Sequence, residues 1–196
     1  TRSISCTGKA TITNMGAEIG ATTSVFPFDE RMADYLKATG RDEVAALARQ
    51  HAQSLAADPE LEQDPTRFFD ELIDIDLSAL EPHIVGPRRP DLARPISQLA
   101  KEVERSGFPP RIKAALIGSC TNSSYEDIGR AAAVARQAQG SGLRSQVYFL
   151  ITPGSDQIHH TIRRDGQLAA LEAIGGTVLA NACGPCIGQW KRDDIT

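Results

Sequence analysis

Between residues 114 and 180 short apolar runs alternate with stretches of helical periodicity, and this order restricts the possible folds more than any other feature. The runs are 114–117, 147–151 and 177–180, and the helical stretches between them are 125–139 and 156–174. Runs of this length match strands, and a helix between consecutive strands is the connection that parallel pairing requires. The expected fold class is therefore α/β, a parallel sheet with flanking helices. In such sheets ligands bind outside the carboxyl ends of the strands. Residues with useful chemistry fall there: Cys120 after the first run, Pro153, Gly154 and Ser155 after the second, and Cys183 and Cys186 after the third.

The preceding half reads differently. Met32, Leu36, Val44, Leu47, Ala48 and Leu55 recur at helical spacing and are interrupted by Gly40, which predicts two successive helices. Partial alternation through Leu72, Ile73, Asp74, Ile75, Asp76 and Leu77 predicts a strand. Pro82, Pro87, Pro90 and Pro95 then mark a linker, which divides the chain into two partial αβα units at 1–95 and 96–196. Residues 96–106 read as one helix closed by Gly107, Pro109 and Pro110.

A chain of 196 residues with 41% hydrophobic content can bury one full core or two small ones. No apolar run reaches the roughly 18 to 20 residues of a membrane helix, so no membrane partner is expected. The opening Thr-Arg-Ser-Ile-Ser-Cys lacks the organisation of a signal or transit peptide, and no targeting segment is expected. A net charge of −4 without a Lys/Arg-rich run argues against nucleic acid as a partner.

Of the four cysteines, Cys6, Cys120, Cys183 and Cys186, only the last two are near each other in sequence, and a core of this length needs no dense disulfide framework, which suggests a reducing compartment. The Cys183–Cys186 pair has three readings: half a zinc site, a redox dithiol, or part of an iron–sulfur site. Structural zinc usually takes two close pairs, whereas here the pair would have to recruit Cys120 and one further group. Cys183-Gly184-Pro185-Cys186 matches the thioredoxin motif letter for letter, yet only ten residues follow it, too few to complete that fold. Three thiolates suit a cubane cluster whose fourth iron stays open as a Lewis acid. Ser119, Thr121, Asn122, Ser123 and Ser124 surround Cys120 at the start of a helix. Hydroxyls, amides and a helix N-terminus stabilise an anionic cluster, and the same residues would serve as an ordinary N-cap.

Two segments resemble the cluster-binding motifs of the aconitase family: Ile117-Gly-Ser-Cys-Thr-Asn-Ser-Ser-Tyr-Glu-Asp-Ile128 and Leu179-Ala-Asn-Ala-Cys-Gly-Pro-Cys-Ile-Gly-Gln-Trp190. Ser3-Ile-Ser-Cys-Thr-Gly8 and Asn14-Met-Gly-Ala-Glu-Ile-Gly-Ala-Thr-Thr-Ser-Val-Phe-Pro27 are similar to a third signature of that family. The motifs occur in the family's order and span nearly the whole chain. The resemblance implies that Cys120, Cys183 and Cys186 ligate a [4Fe-4S] cluster. It places Glu18 at the iron-bound water or substrate hydroxyl and Asn14 near the cluster, while Cys6 is no ligand. Without the motif, Glu18 would read as a residue at a helix N-terminus. His159 and His160 adjoin on an amphipathic helix, where a solvated or packing role is expected.

The implied activity is that of an iron–sulfur hydro-lyase, aconitate hydratase, acting on the tricarboxylates citrate, cis-aconitate and isocitrate. The implied location is the mitochondrial matrix or a bacterial cytoplasm. The family's further substrate-binding and catalytic domains have no counterpart in these residues, so they are the expected partners and the chain alone is expected to be inactive. A homoaconitase is the rival within the class, and a thiol redox or metal-binding module built on Cys183 and Cys186 is the rival outside it.

Overall fold

The structure, a computed structural model, describes residues 2–87, 89, 91–118 and 120–190. These fall into two compact units, one within Thr1–Ala56 and Lys113–Thr196, the other Ala57–Ile112.

In the first unit the sheet is the one expected. Strands β3 (Ala114–Gly118), β4 (Tyr148–Thr152) and β5 (Gly176–Val178) run parallel in the order β3-β4-β5. Leu116 pairs with Leu150 and Ile117 with Ile151, and Ile151 in turn pairs with Val178. The crossovers are α6 (Tyr125–Gly140) between the first two strands, and α7 (Asp156–Arg164) followed by α8 (Gln167–Ala173) between the second pair. The single helical stretch expected at 156–174 is thus two helices, separated at Gly166. Ile128, Ala132 and Ala135 recur at intervals of four and three on α6 and present one buried face. They form the core with Ile151, Ile162, Leu168, Ala170 and Leu171. Ile151, on the central strand, is fully buried, and truncating a side chain of that kind to alanine costs about 2–5 kcal/mol.

The same unit contains α1 (Cys6–Glu18), α2 (Glu30–Ala38) and α3 (Asp42–Gln50). The break between α2 and α3 falls at Gly40 as expected. Helix α1 was not anticipated as such. Ser5 caps it by accepting from the Gly8 amide at 3.1 Å, and Glu18 is its last residue, not its first. Lys9 of α1 is 3% exposed and pairs with Asp29, whose carboxylate also caps α2 by accepting from the Met32 amide. A buried ammonium is tolerated only with such a partner, so this pair fixes α1 against α2.

The second unit departs further from expectation. It contains α4 (Pro59–Gln63), an antiparallel pair β1 (His83–Val85) and β2 (Ala93–Pro95), and α5 (Leu99–Ser106). Residues 69–77 form no strand, and Leu72, Ile73, Ile75 and Leu77 are exposed. Alternation can only favour a strand; the backbone groups still need a neighbouring edge, and these residues have none among the described ones. No described residue before His83 is in a strand. The Pro-rich passage lies inside this unit, not at a junction near residue 95. Residues 96–98 form a 3₁₀ turn that leads into α5, and Gly107 closes the helix in the left-handed conformation as expected.

Candidate functional site at the carboxyl edge of the sheet

Strands β3 and β4 approach each other closely at their carboxyl ends. Gly118 has φ +117°, and a Cβ there would lie 2.1 Å from the Thr152 carbonyl oxygen, so only glycine permits this approach. The loops beyond the strands are joined as well. The Gly154 amide donates to the Ser123 carbonyl at 3.3 Å, and a Cβ on Gly154 would meet both oxygens of Ser123 at 3.2 Å. Ser123 is fully buried beneath this junction.

Each loop delivers the chain into a helix with a side-chain cap. Ser124 and Asp127 form a reciprocal capping box at the start of α6, with the Asp127 amide donating to Ser124 Oγ and the Ser124 amide donating to Asp127 Oδ2, each at 3.2 Å. Ser155 caps α7 by accepting from the Ile158 amide at 3.1 Å. The bland reading of the serines around Cys120 is therefore correct for Ser124. It leaves Cys120 itself exposed at the mouth of the loop, with Sγ 3.5 Å from Thr121 Oγ1.

Helix α1 lies over this edge. Thr7, Ala10 and Asn14, spaced at i, i+3 and i+7, share one face of the helix. They line a cleft of about 320 Å³ together with Cys120, Ser123, Gly154 and Ser155. Asn14 and Cys120 thus meet at one cavity from distant parts of the chain. Asn14 Nδ2 donates to Glu18 Oε1 at 2.8 Å, one turn along the helix. Glu18 occupies a helix C-terminus, where the dipole disfavours a negative charge, so the helix gains nothing from it there. Thr7 Oγ1 donates to Glu126 Oε2 at 2.7 Å, which joins α1 to the start of α6. The Thr7 and Ser5 hydroxyls hold the Glu126 carboxyl below the usual range against partial burial, with Arg130 and Arg31 adding to the effect.

Cys183 and Cys186 follow β5 at the same edge as Cys120 and are exposed. They flank a 3₁₀ turn, Pro185–Ile187, closed by the Ile187 and Gln189 amides donating to the Gly184 carbonyl at 3.1 and 3.0 Å. This turn provides no α-helical N-terminus for either thiol. Asn181 in the same loop donates to Asp156 at the start of α7, which ties the post-β5 segment to the edge. All four cysteines are thiols. Among the described residues no three His, Cys, Asp or Glu side chains gather closely enough to hold a metal ion, so the three expected ligands share an edge but not a centre. Their chemistry nonetheless suits an iron–sulfur cluster, since three exposed sulfurs are soft ligands of the kind such a cluster takes. Cys6 differs from them. It is partly buried, and burial pushes its thiol up while Lys9 and Arg41 pull the other way. A thiol held protonated is a poor metal ligand.

His159 and His160 stack with ring centroids 6.0 Å apart on α7, and His159 Nε2 lies 3.1 Å from an Arg163 nitrogen. Neither lines the cleft. Thr7 and Tyr35 do line it and were not singled out from sequence. Thr7 lies inside the Ser3–Gly8 segment, which was the available signal. Tyr35 sits on a helix that reads as scaffold, and nothing local distinguishes it.

The fold and the cleft define an α/β protein with a candidate site at the carboxyl edge of a parallel sheet. The sequence profile of the aconitase family (aconitate hydratase) matches residues 1–194. The chain belongs to the aconitase family. It is 56% identical over 193 residues to a probable mitochondrial aconitate hydratase of Dictyostelium discoideum. It is 58% identical over the same length to mitochondrial aconitate hydratases of Gracilaria gracilis and Aspergillus fumigatus. Each match covers 98% of this chain and 24% of the relative, so the chain spans about a quarter of the length of these proteins.

Proposed function

We propose that this chain is the cluster-bearing part of an aconitate hydratase, an iron–sulfur hydro-lyase that interconverts citrate and isocitrate through cis-aconitate. The observation that carries the reading is the cleft shared by Asn14 and Cys120, formed by two separate family motifs at the carboxyl edge of one sheet. Cys120, Cys183 and Cys186 are the residues that would hold a [4Fe-4S] cluster. Such a cluster, with three thiolate ligands, supplies a Lewis-acidic iron with an open position.

The chain's own residues account for the remainder of its share. Glu18, exposed at the last position of α1, would exchange a proton with the substrate hydroxyl or the water derived from it. Asn14 orients Glu18 through their hydrogen bond and faces the cleft itself. The capped starts of α6 and α7 place hydroxyls, amides and helix N-termini around the Cys120 loop, which favour negative charge there. No Arg or Lys lines the cleft among the described residues. A tricarboxylate needs cationic partners, so further domains of the longer enzyme are the expected source of them. A mitochondrial matrix location follows the naming of the relatives, with a bacterial cytoplasm as the alternative. Discrimination from homocitrate-type substrates belongs to the same missing partners.

The test is anaerobic reconstitution of the full-length protein, followed by visible absorbance, iron and sulfide analysis, and turnover of citrate. The expected result is four irons and four sulfides per chain with hydratase activity. Iron or zinc without sulfide, or dithiol–disulfide cycling confined to Cys183 and Cys186, would overturn the reading.

A further inference from the structure

We propose that Glu126 is a positioning residue that holds helix α1, and with it the Asn14–Glu18 pair, in register with the loop carrying Cys120. The inference rests on the hydratase reading of that pair. Glu126 is the second residue of α6, and the start of that helix is fixed by the Ser124–Asp127 capping box. The Cys120 loop is fixed in turn by the Ser123–Gly154 contact beneath it. Glu126 therefore belongs to the same rigid edge as Cys120.

One carboxylate oxygen of Glu126 accepts from Thr7 at 2.7 Å, and the other accepts from Arg130 at 2.5 Å, one turn further along α6. Thr7 and Asn14 lie on the same face of α1, about 10 Å apart along its axis at 1.5 Å per residue. The Lys9–Asp29 pair fixes α1 to α2 near the same end, and it does not define the distance from α1 to the Cys120 loop. Thr7–Glu126 does, across a sequence separation of 119 residues. A shift of about 1 Å at reacting groups lowers rates about a hundredfold, so a lever of this kind acts on turnover without contacting substrate.

The experiment uses the full-length protein with Thr7→Val, Glu126→Ala and the double variant, and Glu126→Gln as the conservative replacement that keeps an acceptor for Thr7. Arg130→Ala is the control, because it removes only the outer partner of the same carboxylate. Thr7→Val and Glu126→Ala are each expected to lower kcat about 10- to 100-fold with little change in KM. The double variant should lose no more than the worse single one, Glu126→Gln should recover most of the rate, and Arg130→Ala should match the parent. In the cluster-free protein, amide hydrogen exchange over residues 10–18 should accelerate in Thr7→Val and Glu126→Ala only. Should Glu126→Ala fail to fold, the near-isosteric Thr7→Val carries the test. Unchanged exchange with unchanged kcat, or fully additive losses, would overturn the inference. Glu18→Gln separates the two levels: if it is inactive while Thr7→Val behaves as the parent, the positioning role alone falls, whereas an active Glu18→Gln removes the reading on which it rests.

Discussion

The Asn14 side-chain amide donates to a Glu18 carboxylate oxygen at 2.8 Å, so two residues of one family signature form a single hydrogen-bonded unit at the end of α1. One member of the unit lines the cleft that contains Cys120.

This unit predicts unequal effects of substitution. In the full-length enzyme Glu18→Gln is expected to lower kcat by about 10²- to 10⁴-fold, the range for losing a positioned acid or base. Asn14→Ala removes a hydrogen bond to a charged group and should cost about 10- to 100-fold. Both variants should retain the visible absorbance of the cluster. Equal and complete loss of absorbance would show that the residues support the cluster and not the proton transfer.

The cysteines should divide three to one. Cys120→Ser, Cys183→Ser and Cys186→Ser are each expected to abolish stable cluster binding in the full-length protein, measured by absorbance and sulfide content, because oxygen is a poor substitute for thiolate. Cys6→Ser should retain both. Burial pushes the Cys6 thiol up, and Cys6, at the start of α1, does not line the cleft that contains Cys120.

The Lys9–Asp29 pair predicts both a mutational and a pH effect. Lys9 is 3% exposed, so Asp29→Asn, which leaves its ammonium unpaired, should destabilise the fold by about 3–5 kcal/mol. Lys9→Met combined with Asp29→Asn should cost less than either single change. For Asp29, burial raises the carboxyl, but the Lys9 ammonium and the Met32 amide outweigh it and hold the folded-state value below 3.8. The contribution is therefore complete above the unfolded value near 3.9 and is lost as pH falls through the lower folded value. Thermal unfolding of the parent and of Asp29→Asn between pH 5 and about 2 should converge at the acid end, where a protonated Asp29 leaves Lys9 unpaired as the amide does.

The 196 residues alone are expected to show no citrate turnover, even after anaerobic reconstitution. The cleft has no cation among its described lining residues, and positioning of the substrate can contribute about 7–11 kcal/mol to the barrier. Formation of cis-aconitate by the isolated chain at the rate of a full-length enzyme would refute this.

What the sequence by itself determined is the local part of the architecture. The runs at 114–117, 147–151 and 177–180 became three parallel strands because short apolar segments separated by helical stretches have few other ways to bury themselves. The same pattern sent Cys120, Cys183 and Cys186 to one edge, and Gly40 and Gly107 ended their helices through backbone conformations that glycine adopts at little cost. Tertiary structure decided what depends on partners distant in sequence. Residues 69–77 have the alternation of a strand and no edge to pair with. The first unit combines residues within 1–56 and 113–196, a division that the prolines before residue 95 do not mark. Burial of Lys9 beside Asp29 and the Thr7–Glu126 bond arise only when α1 packs against α2 and α6. Pairings of this kind are set by the path of the whole chain, and a local window of residues carries no signal for them.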